Sequence, residues 1–223
     1  MSKQKLPAYG GQALIEGVLM RGTQALAAAM RTPDGKMEIV VEKLPKLYQS
    51  KVRKIPLVRG LISLWDAIGL GIRFQTLSAN LQNEEEKIEG KTLIVTVIIS
   101  FMIAIVIFML SPVAVGQWLD KILGLNPWLS NLVEGFIRLI LLIGYMWVIG
   151  KIPEIARVFA YHGAEHKTIN AFEAGDELIP ENVMKHSVEH PRCGTGFMLN
   201  VVLISIVIFS MLGPLPILIR LLT

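Results

Sequence analysis

Long uncharged runs alternating with polar stretches set the pattern of this chain of 223 residues. Residues 92–110 carry no charge, and these nineteen residues, rising 1.5 Å each in a helix, extend about 28 Å, close to the hydrocarbon thickness of a bilayer. A second run, 136–150, extends back through Leu132 and Val133, with Glu134 and Arg138 in its first turns. A third, 197–219, is uncharged; Asn200 is its one strongly polar residue, and Gly213, Pro214 and Pro216 are placed to kink or end it. Buried core helices are the bland reading of such runs. Three of them in so short a chain favour membrane spans.

The first ninety or so residues follow other periods. Residues 25–31, the turn Thr32-Pro33-Asp34-Gly35 and residues 37–42 read as a β-hairpin. Before it, the stretch Gly10-Gly11-Gln12-Ala13-Leu14-Ile15-Glu16-Gly17-Val18-Leu19-Met20-Arg21-Gly22 reads as a strand or tight loop where backbones approach closely. A phosphate cradle is the alternative, but the glycines match neither the P-loop nor the dinucleotide fingerprint. From 55 to 81, Leu57, Leu61, Leu64, Ile68 and Ile72 recur at helical spacing with Arg59, Asp66 and Arg73 between them, which predicts an interfacial or re-entrant helix. Residues 83–91 are a hydrophilic linker whose acidic run is a solvated face.

The expected fold is therefore a mainly α membrane protein, with about three transmembrane helices and a small α+β cytosolic N-terminal part containing a β-hairpin. Its segments are a cytosolic glycine-rich stretch and hairpin over 1–54, an amphipathic helix and linker over 55–91, and a transmembrane region over 92–223 that includes a cytosolic segment, 151–196.

Charge orients this arrangement. Of the 22 Lys and Arg, fourteen precede the first span, two lie between Lys121 and Arg138, five between Lys151 and Arg192, and one follows. By the positive-inside rule the N-terminus and the segment joining spans two and three are cytosolic, and the loop over 111–131 faces out, with Trp118 and Trp128 at the outer interface. No apolar stretch follows the first lysines, so no signal peptide is expected. The net charge of +4 fits topology and attraction to anionic lipid. The expected partners are the bilayer and a membrane protein or second copy, with no nucleic acid. A single cysteine excludes an internal disulfide.

The chemistry concentrates in one place. All four histidines, His162, His166, His186 and His190, fall within 29 residues, and the only cysteine, Cys193, follows three positions later. Residues 152–174 read as a helix ended by Gly175, and spacing four puts His162 and His166 on one face, one turn apart. With Glu165 they form His-Gly-Ala-Glu-His, the His-x-x-Glu-His order of inverted zincins, where histidines hold zinc and the glutamate is the general base. Residues 181–190 read as a second short helix carrying His186 and His190, stopped at Pro191, and His190 and Cys193 have ligand spacing. The candidate metal ligands are His162, His166, His190, Cys193 and His186, with Glu165 catalytic and a divalent metal, zinc in type, as cofactor. Four protein ligands would close the coordination sphere as a structural staple, whereas three and an open position would mean catalysis. Cys193 as a nucleophile with His190 as base is a further reading, and imidazoles merely solvated or paired with carboxylates are the bland one. A transporter would need more polar positions in the spans than Glu134, Arg138 and Asn200.

Two stretches resemble a known family: residues 10–22, and Tyr161-His162-Gly163-Ala164-Glu165-His166-Lys167-Thr168 continuing to His190-Pro191-Arg192-Cys193-Gly194-Thr195. The chain resembles, over nearly its whole length, the YqhQ-like bacterial membrane proteins, which are uncharacterised and predicted to be metal-dependent enzymes. That resemblance implies a multi-pass protein of the bacterial cytoplasmic membrane and, in family members, a further membrane segment at the C-terminus. The leading expectation is metal-dependent hydrolysis at the cytosolic membrane face; the rival is a non-enzymatic scaffold or assembly factor with a structural metal.

Overall fold

A computed structural model describes residues 9–44, 56–83 and 87–212. The chain forms two compact units, each discontinuous in sequence: Met1–Ile88 with Ile152–His190, and Glu89–Lys151 with Pro191–Thr223.

The first unit is built on a four-stranded antiparallel meander, β1 (Gly10–Leu14), β2 (Gly17–Arg21), β3 (Ala25–Arg31) and β4 (Met37–Lys43), paired in chain order. The glycine-rich stretch is thus a hairpin turning at Ile15-Glu16. Gly17 is required there, because a Cβ would lie 2.4 Å from the Ala29 carbonyl oxygen of β3. Helix α1 (Pro56–Gln82) packs Leu70, Phe74, Leu77 and Leu81 onto Leu14, Leu19, Leu26, Ala28 and Met30. Phe74 is wholly buried, which contributes about 2 kcal/mol of hydrophobic stabilisation. Arg73 donates to Glu42 on β4 at 2.6 and 2.8 Å, and Gln82 Nε2 donates to the Arg31 carbonyl at 2.6 Å. The apolar stripe singled out in the sequence includes Leu64, Ile68 and Ile72, and these are exposed; the stripe that meets the sheet lies on another face of the helix.

Helix α5 (Pro153–Ala174) lies on the opposite face of the sheet. Consecutive strand residues point to opposite faces, and Gly11 abuts Glu165 of α5 while Gln12 abuts Gly71 of α1. α5 starts with Pro153 in its first turn and ends at Gly175, whose φ of 81° is the left-handed C-terminal cap that the sequence predicts. One turn of helix, α6 (Pro180–Val183), follows. The predicted helix over 181–190 therefore ends after its first turn, and His186 and His190 lie in the irregular segment that follows. The cause is a competition for carbonyls. Pro191 has no N–H for the Ser187 carbonyl, and α5 side chains take the oxygens of Met184, Ser187, Val188 and Glu189 instead.

The second unit is helical: α2 (Gly90–Ile105), a π-helical segment (Val106–Leu110), α3 (Ser111–Leu123), α4 (Pro127–Ile149) and α7 (Gly194–Leu212). Gly90–Leu123 and Pro127–Ile149 are long and apolar enough to cross a membrane. The outward loop expected over 111–131 is mostly helix instead. The π-helical segment ends two residues before Pro112, whose missing N–H and ring an unbroken α-helix would not accommodate, and the chain turns only at Gly124, φ 59°. Asn126 then caps α4, its side chain accepting from Leu129 N at 2.9 Å. Gly116 seats the Glu134 side chain, Gly135 abuts Ile206 of α7, and Arg138 donates to Glu134 at 2.8 Å one turn along α4. Residues 213–219 of the third expected span, with Gly213, Pro214 and Pro216, lie outside the described residues, as do 84–86 of the acidic linker.

Candidate metal centre

Helical spacing on α5 puts His162, Glu165 and His166 together. The two imidazole rings lie 4.3 Å apart between centroids, with one nitrogen of each within 4.8 Å of the other. The Nδ1 of His162 is 3.4 Å from Glu165 Oε2. His166 is held from its far side: its Nδ1 donates to the Val188 carbonyl at 2.6 Å, which orients the ring and makes Nε2 the nitrogen turned to a ligand. His190 arrives on the segment after α6, 8% exposed, its ring 5.9 Å from that of His166 and its Nε2 3.5 Å from Glu173 Oε2.

That irregular segment is fixed to α5 by further side chains. Asn170 donates to the carbonyls of Ser187 and Glu189, both at 2.9 Å, and Lys167 to Met184 at 2.6 Å. His186 is engaged elsewhere, its Nε2 2.8 Å from Asp176 Oδ2. Cys193 belongs to the second unit, in the turn that enters α7, where its Sγ is 3.2 Å from Thr195 Oγ1.

Glu165 is the chemically unusual group. It is 4% exposed, and its Oε2 is buried without a hydrogen-bond partner. Burial raises its pKa above the ordinary 4.5, and the neighbouring imidazoles of His162, His166 and His190 pull it back down. Its position depends on a residue far away in sequence: a Cβ on Gly11 of β1 would lie 2.6 Å from the Glu165 carboxyl. The absence of a side chain at Gly11 is therefore what admits the carboxylate. Beside this group, Glu16 in the β1–β2 turn takes an ion pair from Arg157 and a hydrogen bond from Tyr161 at 3.2 Å, both on α5. That pair holds the Glu16 carboxyl below its usual range and raises the Arg157 guanidinium.

The donor set fits a divalent metal. Imidazole nitrogens of the kind zinc takes are adjacent on one helix, one of them oriented through a backbone carbonyl, beside a buried carboxylate oxygen that has His162 Nδ1 at 3.4 Å and no well-formed hydrogen bond. Sequence spacing alone finds His162, Glu165 and His166. It misses Gly11, Asn170, Lys167 and Glu173, and only the glycine-rich composition of residues 10–22 signals the first of these.

The family model described as a protein of unknown function (DUF1385) matches residues 55–223. The uncharacterized protein YqhQ of Bacillus subtilis (strain 168) is 34% identical over 239 residues, covering 99% of this chain and 74% of that relative. No solved structure matches.

Proposed function

The chain belongs to the DUF1385 family of proteins of unknown function, and on that premise we propose that it is a multi-pass protein of the bacterial cytoplasmic membrane that hydrolyses its substrate at a cytosolic, zinc-type metal centre. Two helical stretches long and apolar enough to cross a membrane, with the shorter apolar helix α7, support the spans, and the lysine and arginine distribution supports a cytosolic N-terminus and a cytosolic α5.

His162, His166 and His190 hold the metal. Cys193 is three residues beyond His190, so backbone geometry limits their Cα separation to about 11 Å, and its thiolate is the fourth candidate. His186 is left out because Asp176 engages it. When bound, zinc supplies Lewis-acid polarisation of a carbonyl and of water at neutral pH. Glu165 takes the proton from attacking water and returns it to the leaving group. Asn170 and Lys167 keep the His190 segment in place, and the Val188 carbonyl keeps His166 from turning. The observation that carries this reading is the buried Glu165 oxygen, without a hydrogen-bond partner, among imidazoles.

The second reading is a structural staple in a membrane scaffold, favoured by the short chain distance from His190 to Cys193, which would close a four-ligand sphere. Elemental analysis of purified protein and variants separates them. One zinc per chain is expected, lost in His166→Ala and kept in Glu165→Gln and His186→Ala. Glu165→Gln should then fail to complement a deletion strain. Full complementation by that variant would favour the staple, and wild-type protein free of metal would end both readings.

A further inference from the structure

β1 is an edge strand, paired among the described residues with β2 alone. Leu14 and Gly17 flank the two-residue turn and exchange backbone hydrogen bonds, and the alternation of an antiparallel ladder then directs the N–H and C=O of Gln12 and Gly10 at β2. Gly11 and Ala13, between them, direct theirs at the open edge. The bond from Arg31 N to Glu16 O, 2.8 Å, fixes the same alternation on the other side of β2. Gly10 and Gly11 are both exposed and present no side chain to hold off an approaching backbone.

This bare edge lies against the proposed catalytic group. The Glu165 carboxyl fills the place where a Gly11 side chain would be, with Oε2 buried and lacking a hydrogen-bond partner. A strand added along β1 would run about 4.8 Å from it. Its backbone amides would then pass beside Gly11, the residue that Glu165 covers.

We propose that the substrate is a polypeptide in extended conformation, bound as a fifth strand through the outward backbone groups of Gly11 and Ala13 beside Glu165. The proposal rests on the hydrolase reading and names its substrate class. Cleavage adds the hydroxyl of water to the scissile carbonyl carbon and breaks the C–N bond, and the remaining proton of water passes through Glu165 to the leaving nitrogen. Recognition through main-chain groups makes binding tolerant of sequence and selective for unfolded or extended segments.

The test uses the full chain in detergent micelles with zinc. A short end-blocked, fluorescein-labelled peptide of alternating threonine and valine is titrated by fluorescence anisotropy beside its analogue methylated on every backbone amide. The parent peptide should bind about tenfold or more tightly than the analogue, which cannot donate to the edge. Ala13→Pro, which removes an outward N–H but no bond to β2, should weaken the parent peptide about as much at unchanged zinc content. Equal binding of the two peptides by wild-type protein, or no binding, overturns the proposal and needs no variant to fold. Zinc measured in the same samples keeps the two readings apart. Zinc without discrimination leaves the hydrolase reading standing, and discrimination without zinc removes that reading while keeping β1 as a peptide site.

Discussion

Glu16 adopts φ 54°, a left-handed conformation that costs a non-glycine residue about 1 kcal/mol. Its side chain explains why it is tolerated: Arg157 and Tyr161 bind the carboxylate and tie the β1–β2 turn to α5, the helix that carries His162, Glu165 and His166. Because Arg157 holds the folded-state pKa below the ordinary 4.5, the ion pair contributes fully above pH 4.5 and is lost as pH falls through the lower folded value. Wild-type protein should therefore lose urea resistance on acidification below that point faster than Glu16→Gln does; parallel curves would remove the ion pair from the account. Gly11→Ala should keep zinc yet lower hydrolysis on the order of 10²-fold, through displacement of the Glu165 carboxyl, with zinc content and turnover measured on one preparation. Residues three and four apart on a helix are legible in sequence, which is why His162, Glu165 and His166 are found there. The Gly11–Glu165 contact is not, since no local pattern records that a strand and a distant helix need the same few cubic ångströms.

At the scale of elements, turn chemistry and period were readable: Thr32-Pro33-Asp34-Gly35 lies between β3 and β4, and the run ended by Gly175 is α5. What failed were elements decided by competition. The 181–190 stretch has helical spacing, but its carbonyls are claimed by His166, Lys167 and Asn170 across the unit. Asn170→Ala should then release the His190 segment and weaken zinc binding about 10–100-fold in competition with a chromophoric chelator. Retained affinity would mean that the segment is held by other contacts. α3 was missed because Pro112 and Gly116 resemble breakers, and sequence carries no sign of the π-helical segment ahead of Pro112. In the sheet, Gly17→Ala should cost about 1–3 kcal/mol in thermal or urea unfolding by forcing β2 away from the Ala29 carbonyl.

For the whole molecule, charge placement makes a directional statement. Cys193 is the sole thiol, so once a chelator has stripped any bound metal a membrane-impermeant maleimide should label it in inside-out vesicles and leave it unlabelled in intact cells. Labelling from outside would invert the proposed topology. The chain order of the first unit has a consequence for biogenesis. Its sheet leaves the ribosome early, but the helix that supplies His162, Glu165 and His166 is translated only after the apolar stretch of Glu89–Lys151. The nascent sheet must wait with its α5-facing side uncovered until that stretch has emerged. The cluster of His162, Glu165 and His166 can therefore close against the sheet only after the hydrophobic helices have been synthesised.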